Sequence, residues 1–210
     1  MANEVENLLV GTRGWVHKSW NGDFYPEDMP VEWQLDFYGQ HFKAILLPQA
    51  EWQEWTKEHI EEFEVLYEPE YFFVVFEVSA FNESVLSKLK AIKGWLKDKA
   101  FGVLGFNLSQ AEMNVLQSEL EPLGYKLTSC ASKPQLMGWS FESELGVLTG
   151  EPLYLVCMND HPMSQLKETV TPFLESLPHD YSGGFVFSID EDVSTKHMTD
   201  LKLLLELLGY

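Results

Sequence analysis

The chain has 210 residues, and 14 basic against 33 acidic side chains set its formal charge at −19. So strong an acidic balance argues against nucleic acid and anionic membrane surfaces as partners, since both are gripped by clustered Lys and Arg. With 45% hydrophobic and 14% aromatic residues, the chain carries enough apolar material for a packed core, which excludes disorder.

The first predicted strand is Leu8-Leu9-Val10, which leads into a loop over residues 11–26. A second apolar run covers Phe42 to Leu47. One helix is predicted over Glu51 to Tyr67, with Glu51, Glu54, Glu58, Glu61, Glu62 and Glu64 on a solvated face. Trp52, Trp55, Ile60 and Phe63 lie along the other side. A third strand, Phe72 to Val78, precedes a helix over Glu83 to Lys99, in which Val85, Leu89, Ile92 and Leu96 make one apolar stripe. After a fourth strand at Phe101 to Leu108, Ser109 and Glu112 form a capping box before Met113, Leu116, Leu120 and Leu123.

Tyr125 to Cys130 is the fifth strand, followed by a weaker candidate at Leu145 to Leu148 and a firm run at Leu153 to Met158. Leu166, Val170, Phe173 and Leu177 give a further helical stripe, with a kink expected at Pro172. The strand Gly184 to Ile189 and a helix through Met198, Leu201, Leu205 and Leu208 close the chain, with Gly209 as its C-terminal cap.

Continuous apolar runs suit parallel strands buried on both faces, and repeated strand-then-helix order implies right-handed crossovers. The architecture is therefore α/β, either doubly wound or a (β/α) barrel. Eight units would average about 26 residues each, near the lower limit for a barrel. No long helical pattern stands between Tyr125 and Ser164, so outer helices there are expected to be reduced. No linker divides the chain, which reads as one domain over residues 1–210.

The opening Met-Ala-Asn-Glu-Val-Glu-Asn has neither the basic start nor the apolar run of a signal peptide, and no stretch reaches about 18 apolar residues. A soluble, cytoplasmic protein is expected. Cys130 and Cys157 lie in apolar runs and read as buried thiols. Of the six histidines no two have the i, i+4 spacing of a zinc helix, so no metal and no cofactor is expected.

Arg13 is the only arginine, at the end of the first strand, with His17 and Lys18 close behind. Guanidinium is well suited to anion recognition, and barrel sites form at strand C-termini. Pairing with Asp23 or Glu77 is the structural alternative. Trp15, Trp20, Phe24 and Tyr25 are candidates for an aromatic platform, or for plain packing. Glu77, Asp160 and Asp190 fall at or after strand ends. The catalytic candidates are thus Arg13, His17, Glu77 and Asp190, and the ligand-binding candidates Arg13, Trp15, His17, Trp20 and Tyr25.

Residues 11–26 read Gly-Thr-Arg-Gly-Trp-Val-His-Lys-Ser-Trp-Asn-Gly-Asp-Phe-Tyr-Pro. Through Gly11, Thr12, Gly14, Trp15, Trp20, Gly22, Phe24, Tyr25 and Pro26 this resembles the opening of the YecE-like family, domain-of-unknown-function family number 72. Leu35, Tyr38 and Phe42 extend the similarity more weakly. The resemblance implies a TIM-barrel-like fold and no established activity. It also marks departures. Where the family usually carries an acidic residue and an Asn on the second strand, this chain has Ile45-Leu46-Leu47-Pro48. Where the family has a Lys on the third strand, it has Glu77, and the later arginines are missing.

These departures point to a divergent, shortened member. The expectation is a non-catalytic or degenerate barrel acting as a binding or scaffold protein, with a protein partner or a small polar ligand left open. The alternative is a barrel enzyme or binder for a small polar, anionic substrate at the strand C-termini.

Overall fold

The computed structural model describes residues 8–65, 72–179, 181 and 183–210. In chain order its first elements are β1 Leu8–Arg13, α1 Val31–His41, β2 Ala44–Leu47, α2 Gln49–Trp52, α3 Lys57–Val65 and β3 Phe73–Val78. There follow α4 Glu83–Leu96, β4 Ala100–Phe106, α5 Gln110–Leu120, β5 Lys126–Ala131, β6 Ser140–Ser143 and β7 Gly146–Thr149. The last are β8 Leu155–Met158, α6 Met163–Ser176, β9 Gly184–Ser188 and α7 Thr195–Leu208.

One nine-stranded sheet runs in the order β6-β7-β5-β4-β3-β2-β1-β9-β8. From β8 to β5 every ladder is parallel, including all of the first four strands. The sheet curls until side chains meet across it. Phe73 of β3 lies 5.9 Å from Phe185 of β9, although β2 and β1 stand between them, and Phe101 of β4 lies 5.5 Å from the same ring. These aromatics fill the interior as a packed core rather than a pore. Gly11 belongs to this crowding, because a Cβ there would stand 2.3 Å from the Ala44 carbonyl oxygen.

The barrel is nearly closed. Among the described residues no ladder joins β5 to β8, and side chains bridge the seam instead. The Thr128 hydroxyl donates to the Leu153 carbonyl, and Leu153 reaches over Gly102, where a Cβ would come within 2.7 Å of its Cδ2.

Several local predictions hold in atomic detail. Ser109 and Glu112 form the reciprocal capping box. The stripe of α4 is buried at Val85, Leu89, Ile92 and Leu96. Gly209 caps α7 with a left-handed φ of 92°, and the stripe of α6 is buried at Leu166, Val170 and Phe173.

Two expectations are corrected. The single helix over Glu51 to Tyr67 is two, α2 and α3. Trp52 donates its indole N–H to the Glu77 carbonyl at 3.0 Å, and both Trp52 and Trp55 set their rings edge-on to Phe76. The chain turns after Trp52, and α3 restarts after Thr56, whose carbonyl accepts from the Ile60 amide. The predicted end at Tyr67, and the side chains of Glu62, Phe63 and Glu64, lie outside the described residues.

The run Leu145 to Leu148 is not a parallel unit but falls mainly in β7, antiparallel to both β5 and β6. The strand β6 had no counterpart in the sequence reading. Among the described residues this hairpin replaces any helix between β5 and β8. It packs outward on α6, with Phe141 5.6 Å from Phe173 and the Trp139 indole donating to Ser176 at 3.0 Å.

Candidate functional site

Along β1 the side chains alternate, as a strand requires. Thr12 turns outward, where the Tyr38 hydroxyl accepts from its amide at 3.0 Å and donates to the Ala44 carbonyl at 2.8 Å. Arg13, the last residue of β1, turns into the barrel mouth. It meets Glu77 of β3 across Leu46 of β2 in a two-point ion pair, Nε to Oε2 at 2.6 Å and Nη2 to Oε1 at 3.0 Å. This geometry is the strong form of a charge-assisted hydrogen bond. The bond to Glu77 raises the guanidinium pKa further, with burial opposing it.

Above this pair lies a cup of about 190 Å³, lined by Arg13, Glu77, Leu46, Leu104, Phe106, Leu145, Cys157 and Ile189. Residues from β1, β2, β3, β4 and β8 thus converge at their C-terminal ends, the site face of a barrel. Cys157 brings no reactive thiolate, because burial pushes its pKa strongly upward. Cys130 on β5 is likewise pushed up, to about 11.

Beside Arg13 stands Glu51 of α2, its Oε2 3.8 Å from where a Cβ on Gly14 would be. Burial pushes its carboxyl up to about 7, and Arg13 opposes the shift. Among the described residues nothing hydrogen-bonds this carboxyl. Sequence reasoning placed Glu51 with the solvated acids of its helix and missed it. The available signal was its place three residues after Pro48, immediately beyond the C-terminal end of β2.

The other candidates lie outside the cup. His17 is buried, its ring tilted against that of Trp20 at 4.5 Å, and it accepts weakly from the Val193 amide at 3.4 Å. Burial lowers its pKa, and among the described residues its Nε2 has no hydrogen-bond partner. Asp190 accepts from the Asp160 amide, while Asp160 accepts from Ser188 at 2.9 Å and from the Ser194 amide at 2.7 Å. These carboxylates tie loops after β8 and β9 together, and neither lines the cup.

Trp20 is fully buried and donates its indole N–H to the Val193 carbonyl at 2.6 Å. Tyr25 is buried too, its hydroxyl donating to the carbonyl of half-buried Trp15 at 2.6 Å. With Phe24, Tyr38 and Phe42 these rings make an aromatic plug between β1 and α1, so packing is what they do.

A larger groove of about 630 Å³ runs outside the barrel along α7, past Phe24, Phe42 and Met198. Its charges already have partners. Lys196 pairs with Asp200 at 2.5 Å, Lys202 donates to the His41 carbonyl at 2.7 Å, and Asp23 accepts from Thr195. Among the described residues, no group of three or more His, Cys, Asp or Glu is placed to hold a metal ion. Nor is any helix there long and apolar enough to cross a membrane.

A curled parallel sheet with its strand C-termini around one mouth defines an α/β barrel of the TIM-like class. Residues 9–96 match the model of the family described as "Protein of unknown function DUF72". The crystal structure of a DUF72 family protein from Thermotoga maritima MSB8 superposes with a TM-score of 0.65. That likeness covers 95% of this chain and 99% of the other, at 14% identity, and so speaks for the fold alone. No curated protein matches the chain. The resemblance in the opening motif is therefore borne out, with a match to the DUF72 model from β1 through α4 and a fold like that of a DUF72 protein over nearly the whole chain.

Proposed function

We propose that this protein is a non-catalytic binding barrel, one domain over residues 1–210 that keeps the family fold and holds a small molecule at its mouth. One observation carries the reading. The two charged side chains of the cup are locked on each other at 2.6 and 3.0 Å, and the rest of the lining is apolar apart from a protonated thiol. A general base or nucleophile must be free to meet its substrate. Glu77 is engaged by Arg13, and Asp190 and His17 lie outside the cup.

Ligand-observed NMR against a panel of small carbonyl compounds, carboxylates, amines and sugars tests this. The expected result is binding without new resonances during long incubation. Turnover by the wild type that disappears in Glu77→Gln would overturn it.

A second reading has an observation of its own. Glu51, unclaimed and with a pKa near 7 beside Arg13, has the properties of an acid–base group at neutral pH. In that case the chain is a barrel enzyme for a small polar, anionic substrate oriented by Arg13, and turnover vanishes in Glu51→Gln while binding persists.

A further inference from the structure

The cup contains one polar device in an apolar setting, and its wiring restricts what fits. We infer that it takes a small uncharged molecule, an apolar ring bearing a carbonyl oxygen, with that oxygen accepting from Nη1 of Arg13; this rests on the binding-barrel reading above.

Arg13 uses its Nε and Nη2 on Glu77, which leaves Nη1 with no protein partner among the described residues. The Arg13 side chain is 35% exposed and that of Glu77 only 11%, so the donor is the half of the pair offered to a ligand. Glu77 holds the guanidinium at two points, which pre-organises the remaining donor and lowers the ordering cost of binding.

Charge selects against anions, and the pairing of Glu77 with Arg13 against cations. Arg13 and Glu77 cancel, Glu51 adds zero or −1, and the whole chain carries −19. An anion entering the cup therefore meets no net positive charge, and one of the two bidentate edges of the guanidinium, Nε with Nη2, is already taken by Glu77. A cation finds no free carboxylate in the lining, since each Glu77 oxygen already accepts from Arg13. An uncharged acceptor satisfies Nη1 without either penalty.

Size agrees. An apolar cavity of about 150 Å³ accommodates benzene, so about 190 Å³ holds one ring with a small head group. Leu46, Leu104, Phe106 and Ile189 supply the apolar contacts for that ring.

Benzamide, benzoate and benzylamine share a ring and a near-equal size and differ in charge. Their affinities for the full chain at pH 8, measured by NMR titration, test the inference. Benzamide is expected to bind at least tenfold more tightly than either ion. Leu46→Trp, which fills the cup from β2 and leaves both members of the ion pair in place, should abolish that binding with the melting curve retained. Arg13→Met should weaken benzamide about tenfold, and the Glu77 carboxylate it frees should turn the preference toward benzylamine.

Benzoate or benzylamine binding as tightly as benzamide would overturn the inference while leaving the barrel a binding protein. Failure of all three probes to bind, or binding indifferent to Leu46→Trp, would remove the mouth as a binding site and the reading beneath it.

Discussion

The half of the barrel from β1 to β4 and the half from β5 to β8 are built differently. In the first, each strand is followed by helix and pairs with parallel neighbours, and backbone ladders hold it together. In the second, an antiparallel hairpin stands where a helix would be, and side chains alone close the seam. The match to the family model ends at residue 96, at the end of α4 and before β4. Of the cup, the regular half supplies the ion pair, and the irregular half supplies apolar wall through Leu145 and Cys157. Polar chemistry at the mouth thus comes from the regular, family-matched part of the fold, and the remodelled part bears on its shape.

If that division is right, core truncations should be costlier in the regular half. Trp52→Ala removes a fully buried ring that also bonds the Glu77 carbonyl, and should lower stability by about 3–5 kcal/mol in denaturant melts. Phe141→Ala, on half-buried β6, should lower it by about 1–2 kcal/mol. Equal losses would erase the distinction.

Arg13→Ala tests the regular half at the mouth. It strands Glu77, a buried carboxylate, and should destabilise the fold by about 2–3 kcal/mol, less than for a fully buried pair because the Arg13 side chain is 35% exposed. Glu77→Gln introduced with it should recover most of the loss. A double variant as unstable as the single would show that Arg13 acts by packing.

The pH dependence sharpens the comparison within that same site. The folded state holds the Glu51 proton up to about pH 7, whereas the unfolded chain releases it near 4.5. Between those values the native state binds more protons, so this group's contribution falls as pH rises, by about 2–3 kcal/mol over the window. His17 acts in the opposite sense. Its lowered pKa keeps it neutral when folded, so stability is lost as pH falls below its ordinary 6.5. The difference in stability between wild type and Glu51→Gln should therefore shrink or reverse from pH 5 to 8. A flat difference would mean that Glu51 is as hydrated as its neighbours. The smallest effect belongs to the capping box, where Ser109→Ala should cost about 1 kcal/mol.

Much of this was legible in the sequence, for reasons that also explain what was not. Most strands of the parallel sheet are near-continuous apolar runs, such as Ala-Ile-Leu-Leu in β2, and those leave few other readings. Ser-Phe-Glu-Ser in β6 has one apolar residue that packs against α6, and four residues carry no usable period. The break between α2 and α3 was hidden because Trp52 and Trp55 fit a helical stripe and a buried turn equally well. At the site, Arg13 stood out as the lone arginine, and Glu77 was named as its possible partner because both end strands. Glu51 was lost among similar acids, since burial of one carboxylate in an acidic row follows from a loop path that no local pattern encodes.

The gap between β5 and β8 also sets an order of release. In a fully hydrogen-bonded barrel every strand has two ladder neighbours, so none can leave without breaking both. Here, among the described residues, β8 pairs only with β9, through Leu155 to Met158, and freeing it breaks one short parallel ladder and leaves the run from β9 to β5 intact. Amide protons of β8 should therefore exchange with solvent through a smaller opening than those of β1 or β2, which are flanked on both sides. Because Cys157 of β8 lines the cup, such an unzipping would dilate the mouth from one side, giving it a hinged wall where a closed ring would be rigid.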